Sequence, residues 1–145
     1  MDLIATIRES WSWAGLEPTA VVGDNPFGNL IVKDNMGQYW RICPEELSCK
    51  VVAQNRPELD ALSHDQKFLH DWYMSDLVES AKQLLGPLRP GYKYGLKIPG
   101  MLGGEYGGTN LAILSLRELI SASGYMAQQI QGLPEGAKVR LTVTE

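Results

Sequence analysis

NLIVKDNMGQYWRICP, residues 29–44, places two short β-forming runs on either side of Asp34-Asn35-Met36-Gly37. Asp, Asn and Gly are the residues that tolerate positive φ, so this stretch predicts a hairpin: a strand over Leu30–Lys33, a turn, and a returning strand over Gln38–Ile42. Pro44 closes it, and Lys50–Ala53 predicts a third strand of the same meander. Upstream, Leu3, Ile4, Ile7, Trp11 and Ala14 recur at three-to-four spacing, which predicts a helix over residues 2–14 that Gly15 and Pro18 end. Trp11 and Trp13 cannot share one face of that helix, so at least one of the two is expected beyond the core.

Downstream, residues 54–63 are polar around Pro57 and read as a loop. Ser63 and Gln66 have capping-box spacing. They open one long helix to about Leu85, with Leu69, Trp72, Tyr73, Leu77, Ala81 and Leu84 along one side and Gly86-Pro87 as the stop. Tyr92, Tyr94, Leu96 and Ile98 alternate with polar or small residues and predict a strand. Leu111–Leu114 predicts a buried strand, and Ser115 with Glu118 caps a helix from Leu116 to about Gln131, weakened in its middle by Gly124. A last strand is expected over 137–145, with Val139, Leu141 and Val143 on one face. Strands in groups rather than strict βα alternation imply an α+β fold. The expectation is a mixed or antiparallel sheet of about five to six strands, with a long helix and two shorter helices packed on it, in a single domain spanning residues 1–145.

The chain carries 145 residues, 44% of them hydrophobic and 21% charged, an ordinary globular composition. No apolar run reaches the roughly 20 residues of a membrane span. The N-terminus lacks the basic region of a secretory signal. Cys43 and Cys49 match no zinc pattern and are read as reduced, partly buried thiols in a cytoplasmic protein, with no metal and no cofactor expected. The net charge of −4 is uneven: residues 45–80 hold eight acids (Glu45, Glu46, Glu58, Asp60, Asp65, Asp71, Asp76, Glu79) against three bases. That segment would repel nucleic acid and attract a basic protein; the plainer reading is a solvated helix face.

The stretch GLKIPGMLGGEYGGTN, residues 95–110, packs six glycines into sixteen residues. It is not a phosphate loop: no lysine follows a glycine in the Walker pattern, Glu105 would repel phosphate, and it leads into a strand rather than a helix. Gly pairs on both sides of Glu105-Tyr106 either serve a tight crossing or present those two side chains to a partner. No nucleophile motif is present. His64 and His70, six apart, point about 120° apart on a helix and share no metal face, which leaves His70 at most a lone acid or base. No catalytic residue is assigned, and the reading is of a protein that is not an enzyme.

Two stretches carry a family resemblance: NPFGNLIVKDNMGQYWRICPEEL, with its F-G-N-L, D-x-x-G and Y-W-R, and LLGPLRPGYKYGLKIPGMLGGEYGGTNLAILSLRELI, with its G-P-L, tyrosine strand, I-P, L-G-G loop and N-L. Together they resemble a bacterial family, first catalogued as a domain of unknown function, of immunity proteins to type VI secretion DNase and related toxins. Such domains often follow a GAD-like domain, for which 145 residues leave no room. The similarity runs over about residues 27–145 and is low around 54–70. The resemblance implies an immunity protein that binds and neutralises a cognate effector toxin in the bacterial cytoplasm, by occluding a basic cleft, with no membrane and no nucleic acid as partner. On that reading the eight carboxylates, with Glu105 and Tyr106, are the candidate partner-binding residues. The alternatives are a binding or scaffold domain of the same fold without a toxin, and a small enzyme using the glycine loop.

Overall fold

The computed structural model describes residues 2–133. Its elements, in chain order, are helix α1 (Leu3–Trp11), strands β1 (Pro18–Asp24), β2 (Leu30–Asp34), β3 (Tyr39–Cys43) and β4 (Ser48–Ala53), and helices α2 (Arg56–Leu62), α3 (Gln66–Tyr73) and α4 (Ser75–Leu85). Strand β5 (Tyr92–Leu96), strand β6 (Leu111–Ser115) and helix α5 (Leu116–Ile130) follow. The fold is α+β. Strands β1 to β4 form an antiparallel meander in sequence order, and β5 pairs antiparallel with β6 in a separate two-stranded sheet. The strand expected over 137–145 lies outside the described residues.

The β2–β3 hairpin forms as its sequence requires. Asp34 Oδ1 accepts from the backbone N–H of Met36 (2.9 Å) and Gln38 (2.8 Å), Oδ2 accepts from the Trp40 indole (2.9 Å), and Gly37 takes φ +85°. Successive residues of β2 then serve opposite faces. Leu30 and Val32 join Ile7, Trp11, Ile42 and Ile120 in the main core under α1 and α5. Ile31 joins Tyr39 and Ala53 on the other face, covered by Leu59 of α2 and by Phe68 and Trp72 of α3. The meander is therefore the middle of three layers. The β5–β6 hairpin has its own small core, where Tyr94, Leu96 and Leu111 meet Phe27 and Ala81 of α4.

Several elements differ from their sequence reading. β1 was not expected: two register shifts, at Pro18/Ala20 and Val21/Gly23, break its alternation. Residues 56–62 are a helix rather than a loop, because Pro57 sits in the first turn, where no N–H is needed, and Asn55 caps it through Glu58 N–H (2.9 Å). Asp65, not Ser63, caps α3, accepting from Lys67 and Phe68 N–H, while Ser63 donates to the Asp60 carbonyl at the end of α2. The long helix is broken into α3 and α4 by Met74 in the left-handed region (φ 49°). Trp13 leaves α1 in a 3-10 turn, Ser12–Ala14. Its half-buried ring can then stack on the buried Trp11 at 5.8 Å.

α5 does continue through Gly124. The reason is its crossing with α1: a Cβ at Gly124 would stand 2.5 Å from the Ser10 carbonyl oxygen. Close by, the Trp11 indole donates to the Ile120 carbonyl (3.1 Å, buried) and locks the two helices in register. Gly124→Ala, which an isolated helix would welcome by about 1 kcal/mol, is expected to destabilise this protein by about 1–3 kcal/mol; urea unfolding checks the sign.

Asp34 gives a pH signature. Burial opposes its charge, but the bonds from Trp40, Gln38, Met36 and Gly37 outweigh burial and hold its carboxyl below the ordinary value. A depressed folded-state pKa adds stability above the unfolded value of about 3.9, and that stability is lost as pH falls through the folded value. Asp34→Asn is expected to cost about 1–2 kcal/mol at pH 7, and the gap to wild type is expected to shrink below about pH 4. Urea unfolding of both proteins at pH 7 and pH 3 measures the difference.

Candidate functional site

The candidate residues separate into three groups. Glu58, Asp60 and Asp65 lie exposed on or beside α2 and α3, and Asp76 and Glu79 lie exposed on α4. Several already have structural work. Glu58 accepts from Gln54 N–H (2.7 Å), Asp60 pairs with Arg56 (2.9 Å, four residues apart), and Asp65 is a helix cap. Glu105 is exposed in the glycine loop. The remaining four, Glu45, Glu46, Asp71 and Tyr106, border one hollow of about 300 Å3, together with Arg41 and Lys50.

Glu45 needs correcting as a contact residue. It is buried, and both its carboxylate oxygens accept from Asn29 Nδ2 at 3.0 Å. The Cys43 thiol donates to Oε1 at 3.1 Å. Asn29 Oδ1 in turn accepts from Arg41 Nε at 3.0 Å. Arg41 carries this network outward: its Nη1 pairs with Asp71, and its guanidinium lies 5.2 Å from the Trp72 ring centre and 5.8 Å from that of Phe68. One arginine thus binds α3 to the meander through charge and through cation–π contact. Asn25 adds a second tie. Its Nδ2 donates to the Trp72 carbonyl (2.8 Å), near the break at Met74, and its Oδ1 accepts from Phe27 and Asn29 N–H.

Glu46 is left exposed beside this network. Partial burial, with the carboxylates of Glu45 and Asp71 nearby, raises its carboxyl above the ordinary value. Cys43 is pushed up by burial and by Glu45, and burial pushes Cys49 up to about 12. Both cysteines are free thiols and neither is set up as a nucleophile at neutral pH. Among the described residues no group of three or more His, Cys, Asp or Glu could hold a metal ion. His64 and His70 are both exposed.

The glycine loop is a tight crossing that also presents side chains. Asn110 staples it: Oδ1 accepts from Ile98 N–H (2.9 Å), and Nδ2 donates to the carbonyls of Ile98 (2.9 Å) and Glu105 (2.7 Å). A Cβ at Gly104 would fall 1.8 Å from the Ile98 carbonyl oxygen, and one at Gly100 would fall 2.3 Å from the Tyr106 ring. The ring of Tyr106 is thereby seated on Gly100, with 44% of the residue exposed. Sequence reasoning assigned no role to Arg41, Asn29 or Asn110. All three lie in quoted motifs (Asn29 in F-G-N-L, Arg41 in Y-W-R and Asn110 in the N-L that follows the glycine loop), but a motif letter carries no role.

Residues 53–127, just over half of the chain, match the family described as T6SS immunity protein Tdi1, C-terminal. The chain belongs to this family. The match spans α2 through most of α5 and so includes the acidic helices, Asp71 and the glycine loop. It takes in residues 54–70, where the sequence resemblance was low, and starts after the Asn29–Arg41–Glu45 network. No curated protein matches the chain. No helix among the described residues is long and apolar enough to cross a membrane.

Asn29→Asp tests the network by an isosteric change. It sets a second carboxylate against the buried Glu45 and removes both donated hydrogen bonds. The expected loss is about 3 kcal/mol or more at pH 7, partly regained as pH falls and one carboxyl takes up a proton. Denaturant unfolding across pH 4–8 reads both effects.

Proposed function

We propose that this protein is the immunity partner of a type VI secretion effector: it binds a cognate toxin in the bacterial cytoplasm and neutralises it by occluding a basic active-site cleft, with no turnover of its own. Membership of the immunity family, over a range that holds the acidic helices and the glycine loop, carries this reading. The electrostatics agree. Toxins that act on nucleic acids or nucleotides attract polyanions through basic clefts. The exposed Asp76 and Glu79 of α4, with the carboxylates of α2 and α3, supply an opposing field that steers the two proteins together.

The test is co-expression of the tagged protein with the product of the adjacent open reading frame. Co-purification and rescue from toxicity are expected, with affinity falling as salt rises. The double variant Asp76→Asn/Glu79→Gln is expected to slow association about 3- to 10-fold with little change in dissociation. Absence of both complex and rescue would refute the assignment for that pair.

A further inference from the structure

The hollow beside Arg41 is one lobe of a larger cleft. A second, of about 680 Å3, lies between the glycine loop and the start of β4, bordered by Trp13, Cys49 and Met101. Glu46, Ser48 and Lys50 border both lobes, so the two meet along the Glu46–Lys50 segment. The glycine loop gives each lobe one large side chain: Met101, 59% exposed, to the 680 Å3 lobe, and Tyr106 to the lobe beside Arg41.

We propose that this two-lobed cleft is where the toxin docks, and that it receives a toxin segment carrying one arginine or lysine between apolar side chains, the cation seated on Glu46. The inference rests on the immunity reading and names its contact site. Three observations carry it. The first is composition: aromatic and methionine side chains in a concave surface are what the centre of a protein interface uses. The second is preorganisation. Tyr106 is fixed by its seat on Gly100 and by the Asn110 staple, so little conformational freedom is lost on binding.

The third is charge. Glu45, Glu46 and Asp71 outnumber Arg41 and Lys50 around the lobe beside Arg41. Arg41 is committed to Asp71 and Asn29, and among the described residues no cation lies within ion-pair distance of Glu46. Asp60 has Arg56 and Asp65 has its helix, but Glu46 has neither kind of partner. Partial burial first, and then the neighbouring carboxylates of Glu45 and Asp71, raise its carboxyl above the ordinary value. A guanidinium or ammonium from a partner would relieve that crowding, and its aliphatic stem would lie against Tyr106, Met74 and Val52.

The experiment measures binding of the toxin encoded in the adjacent open reading frame to wild type, Glu46→Gln, Met101→Ser, the double variant and Glu46→Arg. Glu9→Gln, at an exposed carboxylate on α1 that borders neither lobe, makes the same charge change. All these side chains are exposed, and thermal unfolding of each variant against wild type separates lost contacts from lost folding. Expected are about 10-fold weaker binding for each neutral single variant, about 100-fold for the double, and no measurable complex for Glu46→Arg, mostly through faster dissociation. Glu9→Gln is expected to bind as wild type. If wild type binds and the folded cleft variants stay within about 3-fold of it, the cleft is overturned and the immunity assignment stands. If wild type neither binds nor protects, the immunity assignment falls and the cleft proposal with it.

Discussion

A buried carboxylate bonded to a buried carboxamide holds the structure in its shape. Glu45 sits beyond the end of β3, where an unpaired charge would cost several kcal/mol. Asn29 meets it with its amide nitrogen and turns its oxygen to Arg41. Arg41 then reaches across the sheet to Asp71, Phe68 and Trp72. A single line of polar contacts thus runs from the turn before β2, through the meander, to α3. The apolar layers could tolerate small slips, because hydrophobic contact has little direction. This line cannot, because each of its bonds holds only within a narrow range of distance and angle. No buried side-chain polar atom among the described residues lacks a partner, so the network closes.

Much of the fold was legible where a local signal and the tertiary contacts agreed. The β2–β3 hairpin was readable because Asp34 and Gly37 impose their geometry within five residues. The Ser115–Glu118 cap was readable for the same reason, with Glu118 N–H bonded to Ser115 Oγ at 3.1 Å. Elements whose shape is decided at a distance were not. Met74 carries no sign of a break; the Trp72 carbonyl, two residues before it, is taken up by Asn25, 47 positions earlier in the chain. Gly124 looked like a flaw in a helix and is the contact point of two. β1 was hidden because bulges erase the alternation that reveals a strand.

The candidate site shows the same division. Counting charge along the chain found the acidic segment, but it treated all eight carboxylates alike. Three dimensions sort them into a buried anchor (Glu45), a latch (Asp71), caps and local pairs (Glu58, Asp60, Asp65), and groups with charge to spare (Glu46, Asp76, Glu79). Cysteine chemistry drops out for a reason no spacing rule contains: burial and a neighbouring carboxylate keep the thiol of Cys43 protonated. Arg41 drew no role from the sequence because the Y-W-R pattern names no partner for it. Its importance lies wholly in what the fold sets around it.

The glycine loop has a consequence for how such a protein can change its target. Its path is set by backbone packing at Gly100 and Gly104 and by one side chain, Asn110. Met101, Glu105 and Thr109 are exposed, and their side chains take no part in the bonds that Asn110 makes. Residues at these positions can be exchanged while the loop keeps its course. A surface met by a partner can then diverge between lineages without the fold being rebuilt each time.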